Sequence, residues 1–394
     1  SSDTTILSAE AGRLSLSDHR PAHKIADSPP ECRCSTNPQN LRIIMRYTTF
    51  GRRSGLRVSE YALGTGNFGT AWASGTGAAE ARVIFDRFAE AGGTFLDTAG
   101  MYQAGESEAI LGGLLGADRD HFVVSTKYGA SDATEPHVSR TGGGRKNLVA
   151  SVEASLARLG TDYLDLLWVH FPDGVTPIDE IVRGMDDLVR SGKVHHVALS
   201  NFPAWQVSAA ATLADMRGWA PIVGIQTEYS LVERTADREL MPMAEGFGLA
   251  VNLWSPLAGG LLTGKYRTGG EGRATDPSRF VIPESGQRTA VIDEVLTVAK
   301  ETGASAAQVS MAWLRERGNR SAATFIPIVG PRTLAQLDDY LAALEVTLTA
   351  EQYMRLDEVS AVELGVPHWI NSQVRPNLLG GDAGRFVGPV TPIV

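Results

Sequence analysis

From residue 59 onward, short apolar runs and longer amphipathic stretches take turns along this chain. Thr94-Phe95-Leu96, His121 to Thr126 and Tyr163 to Val169 read as buried strands, rich in apolar and β-branched residues. The same reading predicts strands at Tyr61–Gly64, His196–Leu199, Ile222–Ile225, Leu249–Trp254 and Thr324–Val329. Between them the apolar period becomes that of a helix. Ala81, Ile84, Phe85, Phe88 and Ala89 share a face of a helix predicted over Ala78–Ala91. Leu148, Val152, Leu156 and Leu159 do the same over Asn147–Leu159. Further helices are predicted at Ser107–Leu115, Ile178–Ser191, Ala204–Arg217, Arg238–Phe247, Gln287–Thr302 and Ser305–Arg317, and one from Thr333. Strands alternating with helices imply parallel strands joined by helical crossovers, an α/β chain that needs no second domain. Ahead of the first of these strands, Tyr47–Phe50 and Leu56–Val58 flank Gly51–Gly55 as a hairpin.

Composition adds limits. The chain has 394 residues, 43% of them hydrophobic and 21% charged, as in an ordinary globular protein. A net charge of −9 argues against a nucleic-acid-binding surface. No apolar run approaches the ~18 residues of a membrane span. Residues 1–44 are rich in Ser, Pro, Ala and Asp, with balanced charges and no period, and are expected to be a disordered extension. Met45 reads as a natural start, and residues 45–394 as the folded body with its tail. Both cysteines, Cys32 and Cys34, precede that body, which fits a reducing cytoplasm. With His19 and His23 they form a conceivable zinc set, but Cys-x-Cys is not the usual ligand spacing, and no metal is expected.

Chemistry collects at strand ends. Asp97, Lys127 and His170 close three consecutive predicted strands, and parallel strands bring such residues to one face. Tyr102 follows Asp97 in the adjoining loop. An unperturbed phenol titrates near ~10, and a neighbouring ammonium favours its ionised form. A carboxylate keeps the lysine charged, and a histidine can donate to a substrate oxygen. Together they form a site that protonates an oxygen on which negative charge develops.

The pattern Asp97-Thr98-Ala99-x-x-Tyr102, then Ser107-Glu108-x-x-Leu111-Gly112, then Lys127 and His170, resembles the aldo-keto reductases from roughly Tyr47 to Val346. The branch it looks like is that of aryl-alcohol dehydrogenases and potassium-channel β-subunits. The resemblance implies a (β/α)8 TIM barrel, with the hairpin as a plug over its floor and extra C-terminal helices and loop. It also implies reversible, NADP(H)-dependent reduction of aldehydes or ketones, aryl or aliphatic, with Tyr102 as general acid. Two rival functions remain: a cofactor-binding redox-sensing barrel with little turnover, and an aldolase using Lys127 as Schiff-base nucleophile, which would need that lysine neutral and unpaired. The pattern fixes no oligomeric state.

Two glycine motifs point elsewhere. Gly64-Thr65-Gly66-Asn67-Phe68-Gly69 matches a dinucleotide fingerprint, but no helix opens at once behind it. Gly259 to Lys265 matches a P-loop, but Tyr266 stands where a hydroxyl must bind magnesium. By resemblance these stretches belong to the barrel's cofactor site instead. Thr65 would lie near the cofactor. Ser200, Asn201 and Gln226 would hold the nicotinamide carboxamide, and Trp254 would stack on the ring. Ser255, Pro256, Leu257, Gly259 and Lys265 would follow the diphosphate. Gly330, Arg332, Gln336 and Asp339 would take the adenosine end, with Arg332 favouring NADPH over NADH through a 2′-phosphate. Tyr340 stands where the family commonly has Asn. Phe68, Trp72, Phe171 and Trp205 are expected to contact substrate, with Met101 beside them and Trp369 in a tail that could fold over the mouth.

Overall fold

The structure, a computed structural model, describes residues 44–72, 75–131, 136–268 and 285–387. Of the expected extension over residues 1–44, all but Ile44, and with it Cys32, Cys34, His19 and His23, lies outside the described residues.

A hairpin comes first, β1 (Tyr47–Thr49) against β2 (Arg57–Ser59). Eight parallel strands follow and close into a barrel: β3 (Ala62–Gly64), β4 (Phe95–Asp97), β5 (Val123–Tyr128), β6 (Leu164–Val169), β7 (Val194–Ser200), β8 (Ile222–Glu228), β9 (Ala250–Trp254) and β10 (Thr324–Val329), with β10 pairing back onto β3. The helices between them are α1 (Ala78–Glu90), α2 (Glu106–Leu115), α3 (Arg145–Leu159), α4 (Ile178–Arg190), α5 (Ala204–Arg217), α6 (Leu240–Phe247), α7 (Gly286–Thr302) and α8 (Ala306–Asn319). After β10 come α9 (Leu334–Ala342), α10 (Ala350–Ser360) and α11 (His368–Leu378). This is the (β/α)8 architecture, with the hairpin and C-terminal helices added.

Strand alternation sorts side chains into two cores. Outward residues such as Leu96, Leu167, Val169 and Leu199 pack under the helices, where α1 contributes Ala81, Ile84, Phe85 and Phe88 from one stripe. Inward residues Phe95, Leu166, Trp168, Ala198, Val223, Ile326 and Ile328 fill the barrel. Phe50, from the hairpin, joins that inner core. Its ring meets Phe95 edge-on at 5.7 Å and Trp168 at 6.1 Å. Gly224 leaves room for it, since a Cβ there would lie 2.7 Å from the Phe50 ring. The floor is thereby stoppered, and the carboxyl ends of the strands form the other end.

Predicted strands and observed ones differ mainly at their ends. β5 runs on to Tyr128, so Lys127 lies inside the strand instead of after it, and β8 runs on to Glu228. Residues 65 to 77 separate β3 from α1, so the Gly64–Gly69 motif opens no helix. α10 begins with a capping box between Thr349 and Gln352, a local signal that predicts a start at that position.

Candidate active site

Register brings the inward positions of neighbouring strands to one level. Gly64 pairs with Asp97, Asp97 with Ser125, and Lys127 with Trp168. His170 continues directly from β6, its backbone N–H donating to Tyr128 O at 2.9 Å. Lys127 is buried, and its Nζ donates to Asp97 Oδ2 at 2.5 Å, to Thr98 O at 2.8 Å and to Tyr102 Oη at 3.3 Å. The other oxygen of Asp97, Oδ1, accepts from Ser125 Oγ at 2.7 Å and Gln226 Nε2 at 3.1 Å. The carboxylate, at the end of β4, is thus held from two other strands, β5 and β8. The His170 ring stands edge-on to Tyr102 at 5.7 Å and stacks on Phe171 at 4.3 Å.

These surroundings set the proton equilibria. Burial pushes the Tyr102 phenol above its ordinary value, and the Lys127 ammonium pulls against that without reversing it. Lysine therefore supports the phenolate as expected, while the net direction is upward. Burial works against the Lys127 ammonium, but Asp97 and Tyr102 outweigh it and the lysine is raised. A raised, paired lysine is a poor Schiff-base nucleophile, which weighs against the aldolase alternative. Burial, helped by Lys127, drives His170 well below its ordinary value, so its imidazole is neutral near pH 7.

Above this group opens a cavity of about 480 Å³. Asp97, Tyr102 and His170 line it, with Trp72, Met101 and Phe171 beside them. Asn201, Gln226, Trp254, Ser255, Pro256, Leu257, Gly259 and Lys265 line another stretch, and Gly330, Arg332, Gln336, Asp339 and Tyr340 its far end. Trp72 meets Tyr102 edge-on at 6.1 Å. Asn201 sits at φ +61°, a conformation asparagine tolerates. Its Nδ2 donates to His170 O and to Ser200 Oγ, both at 3.0 Å, and its Oδ1 accepts from Trp254 Nε1 at 3.0 Å. Its amide therefore braces the site internally.

Four expected contacts lie elsewhere. Thr65 is fully buried, with its hydroxyl 2.9 Å from that of Ser107, and is not part of the lining. Ser200 is likewise buried behind Asn201. Phe68 is packed in the outer core, because the loop after β3 folds back where Phe68 bridges Thr76. Trp205 is 69% exposed at the start of α5 and does not reach the cavity. Trp369, on α11, is also exposed and outside the lining.

Some contributors have no sequence signal of their own. Gln103 is buried at φ +52° directly after Tyr102. Its side chain donates to Gly66 O and accepts from Trp72 N at 2.7 Å, tying the Trp72 loop to the Tyr102 loop. Asn67 Nδ2 donates to Gly330 O at 3.0 Å, across the mouth. Ser107 and Glu108, part of the recognised motif, dock α2 onto the strands: Ser107 Oγ donates to Thr65 O, while Glu108 accepts from Thr126 Oγ1 at 2.5 Å and Arg158 Nε at 2.7 Å.

A closed α/β barrel with ionisable side chains and a deep cavity at the carboxyl ends of its strands defines a barrel enzyme acting on small molecules. The chain belongs to the Aldo/keto reductase family, whose model matches residues 60–361, and it is an oxidoreductase of that family. It is 36% identical over 324 residues to a protein described as "Uncharacterized oxidoreductase YrpG" of Bacillus subtilis, covering 80% of this chain and 96% of that one. It is 33% identical over 339 residues to norsolorinic acid reductase stcV of Emericella nidulans, covering 84% and 85%. It is 31% identical over 341 residues to aryl-alcohol dehydrogenase GME11368 of Pestalotiopsis microspora, covering 84% and 86%. Among the described residues no helix is long and apolar enough to cross a membrane, and no group of His, Cys, Asp or Glu is placed to hold a metal ion.

Proposed function

We propose that this protein reduces aldehydes or ketones with NADPH and runs the reverse oxidation with NADP⁺. The observation that carries the reading is the chain of contacts from buried Asp97 and Lys127 to partly buried Tyr102, at 2.5 and 3.3 Å, opening onto the same cavity as His170. Tyr102 holds a proton on its phenol and gives it to the substrate oxygen. Lys127, held charged by Asp97, offsets the negative charge left on that phenol. Neutral His170 donates from a ring N–H to the same oxygen and orients the carbonyl. Ser125 and Gln226 fix Asp97, so the lysine meets a preset partner.

The remaining lining fits a phosphorylated dinucleotide. Arg332 lines the far end, and among the described residues its guanidinium makes no ion pair, whereas the chain's other lining charges are engaged. That leaves it to grip a phosphate bidentately. Trp254 offers a ring face, and Gly259 allows close backbone approach. A nicotinamide dinucleotide held by these residues would supply the hydride that the carbonyl carbon accepts. Trp72, Met101 and Phe171 form an apolar wall that suits aromatic carbonyl compounds, in keeping with the names of two relatives.

Steady-state turnover of aldehydes with NADPH, alongside cofactor binding followed by protein fluorescence, tests this. Tyr102→Phe is expected to lose about 10²–10⁴-fold in kcat, the range general acid catalysis supplies, with cofactor Kd unchanged. Wild-type turnover in that variant would sink the mechanism. Tight NADPH binding without turnover in the wild type would favour a sensing role.

A further inference from the structure

The start of α9 already has an anion on it. Leu334, its first residue, donates its backbone N–H to Glu80 Oε1 at 3.0 Å. Glu80 belongs to the first turn of α1, 254 positions earlier, and its side chain is partly buried in that contact. Helix N-termini attract negative charge through their outward N–H groups. Here a carboxylate of the chain itself takes up that attraction. Arg332 lies two residues ahead and is held by its backbone. Its N–H donates to Gln336 Oε1 at 2.8 Å, and its carbonyl accepts from Thr76 Oγ1 at 3.3 Å. Around this point the other acids are engaged. Asp338 pairs with Arg87, and Asp339 Oδ1 accepts from Ser305 Oγ and Gln308 Nε2. Glu80 has no cationic side chain within ion-pair distance among the described residues, so its charge acts on the α9 entrance without a local counter-ion.

We propose that Glu80 is a specificity-determining residue for the cofactor. Its carboxylate opposes the 2′-phosphate that Arg332 would grip, and so narrows the preference for phosphorylated over unphosphorylated dinucleotide. This rests on the NADP(H) reading above. Arg332 draws the 2′-phosphate in, and Glu80 sets how strongly that attraction tells. A ligand without the phosphate meets neither effect.

The test compares ligands that differ only in that group, 2′,5′-ADP and 5′-AMP, together with NADPH and NADH. Their dissociation constants are measured by fluorescence quenching of the full chain. Glu80→Gln keeps an oxygen to accept from Leu334 and removes the charge. It is expected to tighten 2′,5′-ADP and NADPH by about three- to ten-fold, the worth of a nearby like charge at the effective dielectric of a protein surface, while 5′-AMP and NADH stay within about two-fold. Thermal melting of Glu80→Gln and Glu80→Ala separates charge from capping, since only the alanine variant loses the acceptor. Equal tightening of all four ligands, or none, would overturn the proposal. If Arg332→Ala abolishes the preference for 2′,5′-ADP while Glu80→Gln leaves it untouched, the cofactor reading stands and the role of Glu80 falls. If the wild type binds none of the four, both fall.

Discussion

Burial and a neighbouring lysine pull on the proton of Tyr102 in opposite directions, and its behaviour in solution follows from which one wins. Burial raises the phenol above its ordinary value near 10, and Lys127 only tempers the rise. The group must be protonated to donate, so reduction is expected to keep its full rate through neutral and mildly alkaline pH and to fall only as the phenol ionises above pH 10. His170 is held well below 6.5, so no acidic limb is expected near that value either. Measuring kcat for reduction from pH 5.5 to 10.5 checks both. A limb centred near 6.5 would mean that the histidine titrates during turnover. The lysine is raised, so its charge persists across the same range. Asp97 is the residue on which this depends, and its three donors, Lys127, Ser125 and Gln226, come from two strands besides its own. Parallel register, more than any local feature, assembles that contact.

At the level of elements, the hairpin is the part whose contribution is easiest to isolate. Phe50 reaches from the turn after β1 into the inner core between Phe95 and Trp168, with Gly224 shaped to receive it. Phe50→Ala removes a large ring from a site with no second occupant. A loss of about 3–5 kcal/mol of stability is expected, as for other buried Phe truncations. Urea unfolding of the variant measures it, and a loss below about 1 kcal/mol would show that the hairpin rides on the barrel without supporting it. Strands and helices of this kind were legible because each carries a local pattern. The stripe of α1 and the apolar runs of β4 and β6 predict their positions to within a residue or two. The residues at strand ends, Asp97, Lys127 and His170, were legible for the same reason. Loop residues were not. Phe68 and Trp72 stand in the same loop after β3, yet one is buried in the outer core and the other lines the cavity. The choice is made by contacts distant in sequence, such as the hydrogen bonds of Gln103 to Trp72 and of Asn67 to Gly330. Trp205 lies outside the cavity lining, exposed on α5, which begins at Ala204.

For the molecule as a whole, the β8 end couples stability to pH. Burial, reinforced by Glu233 and opposed by Arg288, pushes Glu228 up to about 7 from 4.5. The folded state therefore holds a proton on Glu228 between those values that the unfolded chain releases. Folding is favoured below that window and loses this contribution as pH rises through it. Glu228→Gln is expected to match the wild type near pH 4.5 and to exceed it by about 1–3 kcal/mol at pH 8. Thermal melts across that range read the difference, and a constant offset at all pH values would assign the effect to packing. Helix α10 is bound to the loop after β8 by Arg234. This arginine is buried, pairs with Asp237, and donates to Asp357 O at 2.8 Å and Ser360 Oγ at 2.9 Å on α10.

The stoppered floor has a further consequence. With Phe50 wedged among the inner rings, traffic through the barrel axis is closed, and whatever reacts there comes and goes by the same door. Two guests sharing one door must queue. If the dinucleotide lies along the wall from Trp254 to Arg332 and the carbonyl compound sits over it against Trp72, the first to arrive is the last to leave. The kinetic signature of such a queue is an alcohol product that inhibits without competing against NADPH, and an oxidised cofactor that competes with it outright.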